Sequence, residues 1–341
     1  MPVGVREADL RDPAECARIA AFVEATEGAT PFHLPAWSRA VQDGCGQRAH
    51  YLLAETDGAV VGVLPLTEMR SPLFGRALVS TGFGVDGGVL GGSVEDLAAG
   101  AWNLALRTGC PSVELRGGPA PQGWASDDTS YLGFVRDLAL DDEAELLAIP
   151  RKQRAEVRRA LGFDLEIVTG NDGTLLAEQY RVYAESVRNL GTPVFPAKLF
   201  RSVASTMDAD VLTVRHEGRA VASVLSLYFN GTVYPYWGGG TGAARGLRAN
   251  DRMYFALMAH SRARGCTRFD FGRSKTGTGA AAFKKNWGFT PEPRTYAKRS
   301  NGPAREVNPL NPTYALMVRT WKRLPLWAAN AAGPWISRGL G

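Results

Sequence analysis

The same succession of apolar patterns is written twice along this chain. From Tyr51 to Leu66, YLLAETDGAVVGVLPL, apolar residues crowd both sides of Asp57-Gly58, and from Val211 to Leu227, VLTVRHEGRAVASVLSL, they do so around Glu217-Gly218. Two β-rich runs with a turn pair between them predict a β-hairpin in each place. Ahead of each hairpin a Thr-Pro pair, Thr30-Pro31 and Thr192-Pro193, leads into a short stretch, 37–41 and 199–203, that reads as a turn and a helix. After each hairpin a helical stretch, 95–107 and 250–263, closes on Gly109-Cys110 and Gly265-Cys266. It gives way to the alternating segments TGCPSVELRG (108–117) and RGCTRFDFGR (264–273), which predict strands.

The separation between matching points drifts only from 162 (Thr30 to Thr192) through 160 (Gly58 to Gly218) to 156 (Gly109 to Gly265). One α/β unit of the α+β kind has therefore been used twice. Between the copies, IPRKQRAEVRRALG (149–162) reads as a helix opened by Pro150 and closed by Gly162. The expected organisation is a first domain over 1–148, a basic linker helix over 149–162, a second domain over 163–305 and an amphipathic tail over 306–341.

Composition narrows the chemistry. With 341 residues, 45% hydrophobic and 21% charged, the chain can bury a sizeable core, and length alone allows two domains or one large one. No run of 18 apolar residues occurs, and MPVGVREADL lacks the features of a signal peptide, so the expectation is a cytoplasmic protein. The four cysteines are scattered without CxxC spacing, and four histidines without HExxH, together with the absence of GxSxG, give no support to zinc or serine-hydrolase chemistry. The formal charge of +5 favours an anionic partner: a phosphorylated cofactor, RNA or an acidic membrane surface.

Several segments in fixed order carry a resemblance: Phe32 to Trp37, the Gly-Phe-Gly-Val-Asp-Gly-Gly run at 82–88, the basic helix, FDFGRSKTGTGAAAFKKNWGF at 269–289 and VNPLNPTY at 307–314. Together they resemble the GNAT-like fold in duplicate, as in the Fem family of peptidoglycan bridge-forming aminoacyltransferases. The likeness is closer still to the Fem-like proteins associated with PEP-CTERM exopolysaccharide gene clusters. It implies a tandem duplicated GNAT-like acyltransferase fold, each copy a mixed central sheet flanked by helices. It also implies an acyl or aminoacyl transferase acting on an amine of a cell-envelope, peptidoglycan or exopolysaccharide precursor, with acyl-CoA or aminoacyl-tRNA as co-substrate and no tightly bound cofactor or metal. Two alternatives stand beside it: an acyl-CoA-dependent N-acetyltransferase of a small molecule or sugar amine, and a non-catalytic partner in polysaccharide export.

Acyl transfer to an amine needs a route for the amine proton and donors for the oxyanion. Asp86 is the candidate base, where Fem relatives carry Gly-Pro-x-x-Asp and this chain has Phe83 in place of the proline; the alternative is an aspartate that turns the chain. Lys284, in Phe283-Lys284-Lys285, inherits an active-site role from the resemblance. Arg273 and Lys275 directly follow the strand 269–271, where α/β sheets present ligand contacts, and Asp270 is an alternative base. Arg245, Gly246 and Arg248 form a degenerate phosphate-binding turn before an apolar helix, and are assigned to the donor. In the basic helix Arg154 and Arg158 share a face and are candidates to grip a phosphodiester or pyrophosphate. Trp37, Tyr183, Tyr234, Tyr236 and Trp237 are candidates to line an acceptor cleft, against the plainer reading of core aromatics. The tail from Leu316 to Leu340 mixes tryptophans and leucines with four cations; it is expected either to make peripheral contact with the inner face of a membrane or to pack on the body. The first copy is expected to supply Asp86 and the acceptor face, and the second Arg245, Gly246 and Lys284.

Overall fold

The computed structural model describes residues 3–302 and 312–341, with the side chains of 312–315 left aside; residues 307–311 of the VNPLNPTY segment lie outside the described residues. The chain divides into two compact units, residues 1–130 with 293–309 and 335–341, and residues 131–292 with 310–334.

The first unit runs from β1 (Gly4–Glu7) through α1 (Pro13–Ala25) and α2 (Pro35–Cys45) to β2 (Arg48–Thr56) and β3 (Ala59–Ser71). It continues with β4 (Gly75–Ser80), β5 (Leu90–Gly91), α3 (Val94–Thr108), β6 (Ser112–Arg116) and β7 (Ala125–Asp127). The second begins with β8 (Tyr131–Asp137), α4 (Asp142–Ala148), α5 (Arg151–Leu161), β9 (Glu166–Gly170), α6 (Gly173–Leu190) and α7 (Ala197–Thr206). It goes on through β10 (Ala209–His216), β11 (Arg219–Phe229), β12 (Thr232–Gly240), α8 (Ala249–Ala263), β13 (Arg268–Asp270), β14 (Ser274–Lys275), α9 (Gly279–Asn286) and β15 (Pro291–Pro293). Then follow β16 (Tyr296–Ser300), α10 (Pro312–Trp321) and α11 (Leu326–Ser337).

Each unit holds an eight-stranded mixed sheet, and the two strand orders are images of each other. The first is β1-β2-β3-β4-β6-β16-β7; the second, read from its β9 end, is β9-β10-β11-β12-β13-β8-β14. In both, the one parallel ladder of the path lies at the same place, β4 with β6 and β12 with β13. The hairpins agree in detail. Both turns put two successive residues in the left-handed region, Asp57 and Gly58 at φ 52° and 79°, and Glu217 and Gly218 at 50° and 72°. That is the twist a tight hairpin requires. The ladders slip register at matching points as well, between Ala54 and Glu55 and between Val214 and Arg215.

The sheets divide the sequence differently from the expected boundary at 148/149. Strand β8 lies at the end of the first repeat yet pairs with β13, while β16 lies within the second repeat and pairs with β6. Each sheet is thus completed by a strand that follows the other copy. Hydrophobic alternation fixes which face of a strand is buried but leaves its neighbour to be chosen by tertiary packing.

In the second unit a buried carboxylate ties the β8–α4 connection to α8. Glu145 is fully buried, meets the guanidinium groups of Arg136 and Arg262, and accepts a hydrogen bond from the Ala139 backbone N–H at 2.9 Å. Both arginines are largely buried themselves, so truncating Glu145 strands charge away from water. Glu145→Ala is expected to lower unfolding stability by about 3–5 kcal/mol, read as a shift of the urea midpoint.

Candidate active site

Two adjacent glycines of β12 fix the layers of the second unit. A Cβ at Gly238 would come within 3.2 Å of the Tyr254 hydroxyl on α8, and one at Gly239 would strike the Ser186 side chain on α6. Neighbouring strand residues face opposite sides, so α8 covers one face of the sheet and α6 the other.

The ladder between β12 and β13 covers only two pairs, Thr232 with Arg268 and Val233 with Phe269. Strand β12 runs on to Gly240, whereas the chain after β13 turns to β8, with the Phe271 N–H donating to the Phe134 carbonyl at 2.8 Å. The parallel pair therefore opens as a wedge toward its carboxyl end. Beyond that end lie the two segments that hold the donor-binding candidates, 241–248 after β12 and 271–284 after β13.

The second segment is organised by Lys284. Helix α9 starts at the Thr278 cap and turns inward with Ala281, so Lys284, three residues on, carries its ammonium to the inside. Its Nζ donates to the carbonyls of Gly272 (3.1 Å) and Arg273 (2.9 Å) and lies over the rings of Phe134 and Phe271 at 5.3 and 5.8 Å. Burial among these groups, with Asp270 opposing and Arg273 assisting, lowers its pKa from 10.5 to about 8. The Arg273 guanidinium stacks on Tyr131 at 4.8 Å, and Lys275 sits on β14 directly opposite Tyr131. Arg273, Lys275 and Lys284 thus come together around one turn, where Asp270 Oδ1 accepts from the Gly272 N–H at 2.7 Å.

At the other segment Gly246 has ordinary helical angles, φ −63° and ψ −36°, and a Cβ there would find its nearest neighbour only at 3.8 Å. Neither backbone nor packing demands a glycine, which leaves room for an approaching ligand. Arg245 is exposed beside it. Arg248 is already engaged: it pairs with Glu156 at 2.6 Å and donates to the Arg245 carbonyl at 3.2 Å. Glu185 of α6, which no motif marks in the sequence, accepts from the Gly242 N–H at 2.8 Å and so occupies one donor of this turn.

The remaining candidates separate. Tyr183 and Tyr236 are half-buried neighbours; burial first, then Tyr236, pushes the Tyr183 hydroxyl pKa up. Tyr234 is buried on β12. Trp237 is 3% exposed and packs on Phe200 with ring centroids 4.2 Å apart, so it is a core residue. Trp37 is fully buried too, edge-on to Phe32 at 4.8 Å, with its Nε1 donating to the Gly82 carbonyl; it lines no surface. Arg154 closes the end of α4, donating to the carbonyls of Leu147 (2.8 Å) and Ile149 (3.0 Å), and is not presented to a ligand; Arg158 is exposed. These three departures share one reason: periodicity places a side chain on a face but does not say what covers that face.

In the first unit the place equivalent to the wedge is filled by the chain itself. After β4, Gly82 donates to Thr67 Oγ1 at 3.0 Å, and a Cβ on Gly84 or Gly87 would come within 3.0 Å of Thr81. A Cβ on Gly88 would overlap the Gly117 carbonyl. Asp86 sits in this loop at φ 54°, its carbonyl accepting from Thr30 Oγ1 at 3.2 Å and its carboxylate held by Arg294 at 2.9 Å. His33 braces the same loop, Nε2 to the Gly88 carbonyl at 3.2 Å, and burial lowers its pKa to about 4, which keeps it neutral. The glycine run is thus required by close packing, and Asp86 has the surroundings of a turn residue.

Against this geometry the family comparison falls on the open wedge: residues 149–285 match the acetyltransferase (GNAT) domain. That match lies wholly within the second unit. Among solved structures the chain is similar to FemX (TM-score 0.64, 14% identity, covering 86% of this chain and 96% of that one). It is similar also to the C-terminal domain of a putative lysylphosphatidylglycerol synthetase from Agrobacterium fabrum (0.58, 16%, 89% and 95%). A third likeness is to a tandem GNAT protein from the clavulanic acid biosynthesis pathway (0.53, 14%, 89% and 100%). The two mixed sheets flanked by helices are a tandem GNAT fold. No curated protein matches the sequence. Among the described residues no group of three or more His, Cys, Asp or Glu side chains is placed to hold a metal ion.

Proposed function

We propose that the second unit binds an acyl thioester of the coenzyme A kind in the wedge between β12 and β13 and passes its acyl group to an amine. The observation that carries this reading is the two-pair ladder of β12 and β13 within the stretch that matches the GNAT domain. An extended donor arm laid along the free length of β12 would be held as an added strand, with its anionic end toward Arg245 and Gly246. In the transfer the amine nitrogen bonds to the thioester carbon, the amine proton leaves, the C–S bond breaks and the thiolate takes up a proton. Lys284, with Arg273 and Lys275 around the same turn, supplies positive charge where the oxyanion and then the thiolate develop. Asp270 and Glu185 are the carboxylates that stand by the two donor segments of this unit.

For the acceptor we propose an amine of a cell-envelope or exopolysaccharide precursor. The net charge of +5 and the fold shared with a domain of a lysylphosphatidylglycerol synthetase support an anionic acceptor of that kind. A saturable rise in melting temperature with a CoA thioester is expected, and Arg245→Ala should weaken that binding about tenfold. A chain that ignores CoA thioesters but is stabilised by aminoacyl-tRNA would replace the donor in this reading.

A further inference from the structure

Two packed stretches of the second unit share a property that the donor site does not use. Residues 186–207, from α6 into α7, contain no aspartate or glutamate but include Arg188, Lys198 and Arg201; residues 312–334 contain none either and include Arg319, Lys322 and Arg323. They are in contact: Arg188 donates to the Lys322 carbonyl at 3.4 Å, and a Cβ at Gly191 would lie 3.1 Å from Lys322 Cε. A Cβ at Gly333 would lie 3.1 Å from the Val194 nitrogen. On these elements four large apolar side chains stand out into water, Leu190 (68% exposed), Leu316 (69%), Met317 (51%) and Trp327 (75%).

Single exposed apolar residues need no explanation, but four of them on two packed stretches that hold six cations and no acid do. The charge selects an anionic occupant. The aliphatic tips select one with an apolar interior, since leucine and methionine gain nothing against a phosphodiester backbone, where cations and stacking aromatics carry the binding. We infer that this face seats the second unit on the surface of an anionic lipid bilayer. Trp327 lies at headgroup depth, Leu190, Leu316 and Met317 reach the acyl boundary, and the cations meet the lipid phosphates. Among the described residues no helix is long and apolar enough to cross a membrane, so the contact is superficial.

The test of this inference is separate from thioester binding. The full chain is to be sedimented with vesicles of phosphatidylglycerol mixed with phosphatidylcholine, and with vesicles of phosphatidylcholine alone. Binding is expected only to the anionic vesicles and should fall as salt rises. Lys322→Gln and Arg323→Gln should each weaken it about fivefold, and the pair Leu316→Ser with Trp327→Ser about tenfold or more. All these variants should keep the wild-type melting temperature, because the side chains they alter are exposed. Equal binding to both vesicle types, no binding to either, or undiminished binding by the Leu316/Trp327 pair overturns the inference. So does a structured RNA that displaces the vesicles and whose own binding shows the same dependence on Trp327.

Discussion

Lys284→Met should lower turnover about 10²–10³-fold while leaving thioester binding within a few-fold of wild type, because the charge it removes acts on the oxyanion and thiolate rather than on the bound donor. The lysine occupies an inward helix position that would ordinarily be apolar, and its pKa lies near 8 because it is buried there. The wild-type rate is therefore expected to fall as pH rises through about 8, and the residual rate of the variant to lack that limb. Stability moves in the opposite direction. The folded chain releases this proton near 8 and the unfolded chain near 10.5, so between those values the unfolded state holds more protons and raising the pH stabilises the fold, by ~3 kcal/mol across the window. Urea midpoints of the wild type measured against Lys284→Met from pH 7 to 10.5 would show that difference. A variant with full turnover, or a pH profile shared by both proteins, would remove Lys284 from the chemistry.

The second large effect concerns Gly88. A Cβ there would overlap the Gly117 carbonyl oxygen and lie 2.8 Å from its carbon and 3.2 Å from the Arg116 oxygen, all backbone atoms of the end of β6 and its exit. Side chains can rotate away from a clash; paired backbone cannot without breaking its ladder. Gly88→Ala is expected to cost at least ~3 kcal/mol and to reduce soluble expression. Gly173→Ala is the matched control. It lies in the first turn of α6 with nothing within 4 Å of its Cβ position, so there the same change should be neutral or stabilise by up to about 1 kcal/mol. If the two variants melt together, the packed first unit described above is wrong.

Local signals mark most of the turns and helix ends. The Asp57-Gly58 and Glu217-Gly218 pairs mark hairpins because two successive residues there adopt positive φ. The linker helix begins after Pro150 and ends at Gly162, as those residues dictate. Gly109, in the left-handed region, ends α3 where the pattern places the stop, and Gly265 follows α8 in the same conformation. What could not be read were choices made between distant parts of the chain. The partner of Asp86 is Arg294, more than two hundred residues away, and Glu185 reaches the 241–248 turn only through packing of α6 on the sheet. The glycine run at 82–88 looks like a ligand loop in one dimension and proves to be a packed one, whereas Gly246, embedded in a poorer motif, is the glycine that packing does not require. For the candidate site, residue type and spacing brought Arg273, Lys275 and Lys284 to one turn, but could not tell Trp37 and Trp237 from surface aromatics.

The exchanged strands also set a timetable for synthesis on the ribosome. Strand β6 is made by residue 116, yet its neighbour β16 is not made until residue 300, so the nascent first sheet keeps an open edge while the whole second repeat is translated. The second sheet has no such wait, since β8 is already present when β13 appears. The second repeat is therefore the first whose sheet path can be completed, and the first repeat depends on a strand translated after the second to close its own edge.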